Sequence, residues 1–350
     1  MVLVSHSFAL VGLAEPLVLH NTLGSLGVDV FFVTSGYLIF QSWQRDPSPV
    51  RYLIRRSLRI FPALFVILMM TAFVIGPTLS SRPLGNYFSD PATYQYLGNL
   101  YFVGSKGLHG VFESNPYPHT VNGGLWTLKY EFFMYLFLLG LGLLGKRTRL
   151  LLPFGLAFAV AGSATAAFLT TLPPEQFPTW LPWHDYLVKT RLELSGTALR
   201  FPELACYFLI GALCGYWREL IAYRWTVFAM LGIAWYLISS RSEAIFLVWA
   251  LVAYGSLAFG NATVSPLTKF GKHGDFSYGI YIYGFVVQQC VSSLLGPTPS
   301  WAIALTLSFV VTAIFAFLSW NLIEAPALSG KDRLCALINS DASLISAKAL

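Results

Sequence analysis

Apolar runs of about twenty residues, separated by short polar breaks, recur along almost the whole chain. A helix of that length crosses the ~30 Å of hydrocarbon in a bilayer. Only 11% of the 350 residues are charged, whereas about a quarter are charged in a soluble domain. The sequence therefore predicts an all-α fold, a polytopic membrane helix bundle with about ten transmembrane helices. The predicted spans lie near residues 1–14, 25–43, 60–79, 124–145, 150–171, 203–217, 225–240, 243–260, 276–295 and 301–322.

The distribution of basic residues predicts the orientation of these helices. Alternate breaks are short and basic, whereas the two long breaks, 80–123 and 172–202, are poorer in charge for their length. Because basic loops stay in the cytoplasm, we expect both termini to be cytoplasmic and both long loops to be external. The same pattern explains the net charge of +6 without nucleic acid as a partner. The cytoplasmic basic residues are Arg45, Arg51, Arg55, Arg56, Arg59, Lys146, Arg147, Arg149, Arg218, Arg224, Lys269, Lys272, Lys331 and Arg333.

The spans form one predicted domain, residues 1–325, followed by a cytoplasmic tail, residues 326–350. The first run is short for a span, and it lacks the basic start and the cleavage site of a signal peptide. We therefore expect the first helix to begin upstream of Met1. The four cysteines show no CxxC spacing, so neither a metal site nor a disulfide is predicted.

Three ionisable residues lie within the predicted spans: His6, Asp29 and Glu131. Charged groups are costly inside a membrane and mark functional sites by default. In the predicted topology all three lie in the outer half, with His6 and Glu131 each about 10 Å below the outer surface. A histidine that bonds a carboxylate is equipped for general-base catalysis on a hydroxyl. The alternative is an interhelical hydrogen-bond pair that only holds the bundle together.

Arg55, Arg56 and Arg59 lie where the chain enters its third predicted span. Guanidinium groups match phosphate oxygens in a bidentate manner, so a cytoplasmic nucleotide could bind there. His6 would then lie about 20 Å above these arginines, a separation comparable to the extended pantetheine arm of coenzyme A. The alternative is that the arginines set the topology and contact anionic lipid.

The two long external loops are rich in Pro, Trp, Tyr, Asn and His. Such aromatic residues suit the membrane interface, and they equally suit sugar rings, which stack on aromatic faces. Gly123 and Gly124, next to Trp126, would let the loop turn tightly and approach a ligand through its backbone. The loop histidines are expected to be solvated: His109, His119, His184 and His273.

Six segments resemble the acyltransferase 3 family of membrane O-acyltransferases, in the order in which that family has them. They are HSF at 6–8, GVDVFFVTSGYLI at 27–39, RRSLRIFP at 55–62, NGGLWTLKYEFFMY at 122–135, DFSYGIYIYGFVVQQ at 275–289 and WNLIEAPAL at 320–328. The family includes bacterial enzymes that acetylate surface polysaccharides and lipopolysaccharide. The resemblance thus implies transfer of an acyl group, usually acetyl, from cytoplasmic acyl-CoA to a hydroxyl of a carbohydrate.

The resemblance also implies roles for particular residues. His6 corresponds to the essential histidine, Arg56 and Arg59 to the essential arginine pair, and Glu131 to the carboxylate of the fourth helix. Asp29 as the orienting partner of His6 is an inference from its depth, and Gly123, Gly124 and Trp126 are assigned to the acceptor loop. No permanently bound cofactor or metal is expected, acyl-CoA is the co-substrate, and the partners are a carbohydrate acceptor and membrane lipid. The expected location is the bacterial cytoplasmic membrane.

The chain departs from the family pattern at two places. The family usually has an arginine eleven positions before the histidine, a position that here falls upstream of Met1. In the late segment, Gly284 and Val286 stand where many relatives have a bulkier or polar residue and a proline, so no catalytic role is assigned there.

Two other functions are alternatives to this prediction. The first is a proton-coupled secondary transporter with His6, Asp29 and Glu131 as a relay, although the sequence has no corresponding halves. The second is a membrane acyltransferase of another family that modifies lipid or protein. The identity of the acylated acceptor separates the second alternative from the leading prediction.

Overall fold

The structure is a computed structural model that describes residues 1–104, 107–171, 200–240, 244–262, 274–296, 298–331 and 334–335. Most of these residues are in helices and only two short strands are present among them, which confirms the predicted all-α fold. Its α-helices are α1 Val2–Ala9, α2 Leu23–Arg45, α3 Pro49–Met70, α4 Gly76–Leu79, α5 Leu84–Ser89, α6 Pro91–Gln95, α7 Leu128–Leu143, α8 Thr148–Thr171, α9 Phe201–Tyr216, α10 Trp225–Ile238, α11 Ala244–Asn261, α12 Ser277–Leu295, α13 Trp301–Ser319 and α14 Ala325–Ser329.

Shorter elements complete the described structure. Two antiparallel strands, β1 Leu17–Val18 and β2 Asn21–Thr22, pair Leu17 with Thr22 between α1 and α2. The other short elements are the π-helical segments Thr71–Ile75 and Trp320–Glu324 and the 3₁₀ turns Tyr96–Tyr101, Leu125–Thr127 and Gly145–Arg147. The π-helical segments continue α3 and α13, so each of those helices is longer than its α-helical part.

Each of the ten predicted spans coincides with a helix, but the helices differ in length. Five of the described helices are long and apolar enough to cross a membrane: Leu23–Arg45, Pro49–Leu79, Gly145–Phe168, Ala244–Asn261 and Trp301–Ser329. Others are apolar but shorter, for example Phe201–Tyr216 and Trp225–Ile238. The chain is therefore an integral membrane protein, and the number of ten spans stays a prediction.

Helix α3 begins eleven residues before the predicted third span. The side chain of Ser48 accepts a hydrogen bond from the backbone N–H of Arg51, and Pro49 occupies the first helical position. Serine before a helix and proline at its first position both favour helix initiation. The basic segment is therefore part of the helix, and its arginines occupy the first three turns.

The described residues divide into two compact units. The first unit comprises the described parts of Met1–Gly27, Ser48–Lys129 and Thr263–Leu350, and the second comprises those of Val28–Pro47 and Tyr130–Ala262. In the first unit, α12 packs against α1, α3 and α13. A Cβ atom at Gly279 of α12 would lie 2.8 Å from the Cα atom of Ala316, so these two helices touch through their backbones, as small residues allow in membranes.

Helices α2 and α9 make the same kind of contact in the second unit. A Cβ atom at Gly36 would overlap the carbonyl of Phe208, and one at Gly211 would overlap the carbonyl of Val33. Any side chain larger than hydrogen at either position would force the helices apart. This contact fixes the middle of α9 against α2, the helix that contains the candidate site residue Asp29.

Helix α13 exposes a row of large apolar side chains. Four of these residues have more than half of their surface accessible: Phe309, Val310, Ile314 and Phe317. Such a continuous apolar face is unusual on a soluble protein, and lipid would cover it in a membrane. The exposed face agrees with the membrane location inferred from the long apolar helices.

Candidate functional site

His6 lies on the short helix α1, which the first unit holds through backbone and side-chain hydrogen bonds. Gln288 Nε2 of α12 donates to the carbonyl of Leu3 (2.8 Å), and Ser292 Oγ donates to the carbonyl of Leu10 (3.0 Å). Trp301 Nε1 of α13 donates to Ser7 Oγ (2.9 Å). Three hydrogen bonds therefore fix α1 along its length on both sides of the histidine.

The imidazole of His6 is half-buried against an aromatic ring. Its centroid lies 5.1 Å from that of Phe285 on α12, with the two rings nearly perpendicular. Within the described part of the first unit, neither ring nitrogen of His6 forms a hydrogen bond. The ring is thus held by packing, and its nitrogens stay available to a reacting group.

A carboxylate that the sequence analysis did not select lies near His6. Glu15 accepts a hydrogen bond from the hydroxyl of Ser5, the residue that precedes the histidine. Ser5 is fully buried, and Glu15 is half-buried. The sequence signal was weak, because Glu15 lies just beyond the first apolar run and reads as the start of a loop.

The predicted acceptor-loop glycines pack on α12, the helix that also holds α1. A Cβ atom at Gly123 would lie 2.6 Å from the ring of Phe285. Tyr281 OH donates to the carbonyl of Gly124 (2.7 Å), and Asn122 Nδ2 donates to the carbonyl of Ile282 (2.9 Å). Phe285 therefore lies between His6 and Gly123, which brings together two of the predicted site residues.

Trp126 and the preceding loop are also anchored in the first unit. Trp126 lies half-buried in the 3₁₀ turn Leu125–Thr127. Gln289 Nε2 of α12 donates to the carbonyls of Tyr117 (2.8 Å) and Thr120 (2.7 Å), and Asn115 Nδ2 donates to Gln289 Oε1 (2.7 Å). The half-exposed Tyr117 ring lies 6.1 Å from Phe285, so an aromatic face accompanies the histidine.

The predicted donor-binding arginines occupy successive turns of α3. The Arg56 guanidinium carbon lies 6.0 Å from the centroid of the Tyr52 ring. Arg55 and Arg56 are both half-buried. With Arg51 and Arg59 they place four guanidinium groups within about 12 Å along the helix axis, a basic segment at the predicted cytoplasmic end.

Two carboxylates enclose Arg59. Its Nη1 donates to Glu324 Oε2 (2.8 Å), and its Nη2 donates to Asp275 Oδ2 (2.6 Å). The guanidinium carbon also lies 5.4 Å from the centroid of Tyr278 and 6.0 Å from that of Trp320. The sequence analysis missed both carboxylates, which lie 216 and 265 residues away along the chain.

In the second unit, Asp29 is completely buried beside Arg200. Arg200 Nη2 donates to Asp29 Oδ1 (2.8 Å), and Arg200 Nε lies 3.4 Å from Glu203 Oε2. Asp29 Oδ2 has no hydrogen-bond partner among the described residues. Arg200 directly precedes α9, and no local pattern in the sequence distinguishes it from a loop arginine.

Glu131 is also buried in the second unit and belongs to a chain of polar groups. Its carboxylate accepts a hydrogen bond from the hydroxyl of Tyr135, one turn later on α7. The same hydroxyl lies 3.3 Å from Ser35 Oγ of α2. The two predicted carboxylates thus belong to the second unit, whereas His6, the α3 arginines and the acceptor loop belong to the first.

The loop of the first unit that is predicted to be external contains a small ionic cluster. Asp90 Oδ2 pairs with Arg82 Nη1 (2.5 Å) and His109 Nδ1 (2.8 Å), so His109 has a partner besides solvent. The backbone N–H of Ala92 and the His109 ring lower the pKa of Asp90 below its usual value. The predicted solvated residues His184 and His273 and most of the tail 326–350 lie outside the described residues, as do residues 172–199 of the second external loop.

Comparisons with known proteins cover nearly the whole chain. A family profile described as "Acyltransferase domain" (acyltransferase 3) matches residues 1–321. An O-acetyl transferase of Shigella phage Sf6 is 30% identical over 93% of the chain and 91% of the relative. Nodulation protein 10 of Rhizobium leguminosarum bv. viciae is 26% identical over 96% of the chain and 92% of the relative.

A third relative extends well beyond the chain. The peptidoglycan O-acetyltransferase OatA of Listeria monocytogenes is 26% identical over 87% of the chain, which corresponds to 51% of the relative. No solved structure matches the chain significantly.

Proposed function

The chain belongs to the acyltransferase 3 family and is a membrane acyltransferase, and we propose that it transfers an acetyl group from coenzyme A to a carbohydrate hydroxyl. The relatives named as O-acetyl transferase and peptidoglycan O-acetyltransferase support the group transferred and the class of acceptor. A further relative is named as an exopolysaccharide production protein of Rhizobium meliloti. This membership does not favour the transporter alternative.

The observation that carries the proposal is the arrangement of residues along α12. Phe285 of this helix packs on His6 and supports Gly123. Two turns earlier, Tyr278 packs on Arg59 of the basic segment. One helix therefore joins the histidine and the acceptor loop to the predicted donor end, and its two contact points are about 10 Å apart along the axis.

In the proposed reaction, His6 serves the hydroxyl of the acceptor. As a general base, a ring nitrogen takes the hydroxyl proton while the oxygen attacks the thioester carbonyl, and coenzyme A leaves as the thiolate, which takes up a proton. As a transient carrier, the same nitrogen first takes the acetyl group, releases coenzyme A and then passes the group to the hydroxyl. Both routes need one ring nitrogen of the imidazole that is not already bonded, and His6 within its unit meets this condition.

The remaining predicted residues have supporting tasks in this proposal. Arg55, Arg56 and Arg59 provide the cationic segment toward which the phosphates of the donor are drawn. Gly123, Gly124 and Trp126 form the loop that receives the acceptor. Asp29 and Glu131 supply the buried acid groups, and their engagement with Arg200 and Tyr135 keeps each in a fixed orientation.

The proposal also includes the location of the reaction. The donor end of α3 lies in the bacterial cytoplasm and the acceptor loop lies outside, with both termini cytoplasmic. The basic residues of the short loops support this orientation.

The decisive experiment measures transfer of labelled acetyl from acetyl-CoA to the carbohydrate fraction of membranes that contain the protein. We expect His6→Ala to lower the rate by roughly a hundred-fold or more, as loss of a general base typically does. His109→Ala is the matched control, because His109 is exposed and lies in the external ionic cluster. Acetylation by His6→Ala at the rate of His109→Ala would reject the role of His6.

A second measurement separates the two routes. Rapid acid quenching of the enzyme with labelled acetyl-CoA and no acceptor traps protein-bound acetyl only if His6 carries the group. Label retained by the unmodified protein and absent from His6→Ala supports the carrier route, and no label in either supports the general-base route.

A further inference from the structure

A cavity of about 570 Å³ lies in the second unit, where the ends of four helices meet. Helices α2, α7 and α9 end at this cavity and α8 begins there, so it lies at the predicted cytoplasmic side of the unit. Binding sites for small molecules commonly have volumes of about 300–1,000 Å³. None of the residues assigned to the proposed reaction lines the cavity, which makes it a candidate for a separate binding site.

The inner wall of the cavity is aromatic and closely packed. Phe40 and Trp43 of α2 are both more than nine-tenths buried. Tyr216 of α9 is half-buried, and its ring centroid lies 5.8 Å from that of Phe40. A Cβ atom at Gly142 of α7 would overlap the indole of Trp43. The wall therefore offers apolar contacts, but Phe40 and Trp43 have no open ring face.

The rim of the cavity is polar and basic. Gln44, Lys146 and Arg149 line it and are exposed. Neither the Lys146 nor the Arg149 side chain forms a hydrogen bond or an ion pair with any residue that the structure describes. All but one of the lining residues come from 40–47 and 142–149, which contain four basic residues and a single acidic one. An anion is therefore attracted to this rim.

Exposed leucines lie next to the basic rim along the chain. Leu143, Leu144 and Leu150 each expose about half of their surface or more. The helix that begins beside the rim, Gly145–Phe168, is long and apolar enough to cross a membrane. A ligand on the rim would therefore lie where the hydrocarbon meets the predicted cytoplasmic surface, which is the level of the phospholipid phosphates.

We propose that this cavity binds the headgroup of an anionic phospholipid from the cytoplasmic leaflet. Lys146 and Arg149 bond the phosphate oxygens, and the rings of Trp43 and Tyr216 contact the glycerol and the first acyl carbons. Basic pockets between membrane helices on the cytoplasmic side are typical sites for such headgroups. The inference goes beyond the proposed function and takes from it only the orientation of the chain.

Coenzyme A also carries phosphates, but the surroundings of the cavity favour the lipid. Adenine would need an open aromatic face on which to stack, and Phe40 and Trp43 do not offer one. Acyl chains need apolar surface beside the phosphate site, and the exposed leucines provide it. The charge of the rim and the apolar surface beside it therefore fit the two parts of a phospholipid.

Native mass spectrometry of the full chain in detergent tests this proposal. The probe is dioleoylphosphatidylglycerol, and zwitterionic dioleoylphosphatidylcholine is the reference. Arg149→Gln is compared with Arg147→Gln, the matched control, because Arg147 carries the same charge in the same break but does not line the cavity. Gln44→Trp fills the cavity without a change of charge. The melting temperature of each variant without added lipid reports whether it is folded.

We expect the unmodified protein to bind phosphatidylglycerol roughly ten-fold more tightly than phosphatidylcholine, and Arg149→Gln to bind phosphatidylglycerol roughly five-fold more weakly. Gln44→Trp should weaken binding at least as much, because the indole takes the space of the headgroup. Arg147→Gln should stay within about two-fold of the unmodified protein, since a solvated charge outside the cavity is screened. Added phosphatidylglycerol should raise the melting temperature of Arg147→Gln more than that of Arg149→Gln.

Two results would overturn the inference. Equal weakening by Arg147→Gln and Arg149→Gln would show only a diffuse attraction between the basic break and anionic lipid. Displacement of the lipid by coenzyme A, with coenzyme A binding lost in Arg149→Gln, would assign the cavity to the donor instead. Lipid binding is measured without acetyl transfer, so a protein that binds the lipid but neither binds coenzyme A nor acetylates a carbohydrate would reject the proposed function alone.

Discussion

Asp29 illustrates how a buried charge depends on a partner that is distant in sequence. Its carboxylate is completely buried, and Arg200, 171 residues later, supplies the cation at 2.8 Å. Burial of an isolated carboxylate would be costly, so the pair accounts for how Asp29 is tolerated. Glu203 lies on the other side of Arg200 and completes a small network.

We expect removal of the cation to destabilise the protein more than removal of both charges. Arg200→Gln leaves Asp29 buried without a counter-ion, which costs about 3–5 kcal/mol in comparable pairs. The double variant Asp29→Asn, Arg200→Gln should lose less, since amide groups are cheaper to bury. Thermal unfolding of the detergent-solubilised protein measures both effects.

Arg218→Gln is a suitable control for this comparison. Arg218 is half-exposed and lies 3.8 Å from the exposed Glu219, and such surface pairs contribute about 0–1 kcal/mol. Equal melting temperatures for Arg200→Gln and Arg218→Gln would show that the buried pair does not stabilise the second unit.

Among the secondary-structure elements of the first unit, α12 is the helix on which several other elements pack. Its residues contact α1, the acceptor loop and α3 within about three turns. The sequence analysis assigned no catalytic role to this segment, because it departs from the family pattern at Gly284 and Val286. In the structure, the side chains of this segment instead contact and hold residues of other helices and of the acceptor loop.

The close contact between Phe285 of α12 and Gly123 predicts that a larger residue at position 123 disturbs the candidate site. In Gly123→Ala, the added methyl would lie 2.6 Å from the Phe285 ring, so either the ring or the loop must move. Overpacking of this kind costs about 1–3 kcal/mol, and displacement beside His6 should lower the acetylation rate roughly ten-fold. The rate is measured per amount of folded protein in the membrane.

Gly85→Ala provides the matched control for this substitution. Gly85 lies in α5 of the same unit, and no atom is within 4 Å of the position of its missing Cβ. We expect Gly85→Ala to be as active as the unmodified protein. If Gly123→Ala were equally active, the contact with Phe285 would not constrain the site.

Local sequence patterns predict the helices of this fold well, but they do not predict which distant residues pair with each other. Each apolar run became a helix because hydrophobicity and length are encoded within the run. The predicted third span starts eleven residues after the start of α3, because basic residues interrupt the apolar run, whereas Ser48 and Pro49 already start the helix before them. Arg59 was identified, but its partners Asp275 and Glu324 could not be, since no local pattern encodes a pairing across 216 or 265 residues.

For the whole molecule, the proposed reaction requires two chemically different ends. The phosphates of coenzyme A are confined to the cytoplasm, whereas the acceptor loop is predicted to lie outside. Helix α12 begins at Ser277, two residues after Asp275, which pairs with Arg59, and it contains Gln289, which anchors the predicted external loop. The twelve residue steps from Ser277 to Gln289 correspond to about 18 Å along the helix axis, more than half of the ~30 Å thickness of the hydrocarbon core.

The orientation of the chain is therefore a condition for the proposed chemistry, and thiol labelling tests it. In a background without the four native cysteines, Ser114→Cys reports on the external loop and Lys146→Cys on the predicted cytoplasmic break before α8, both at exposed positions. An impermeant maleimide should label Ser114→Cys in intact cells and Lys146→Cys only after permeabilisation. The reverse labelling would put the acceptor loop in the cytoplasm, and an external carbohydrate could then not reach His6 from the side on which Gly123 and Gly124 lie.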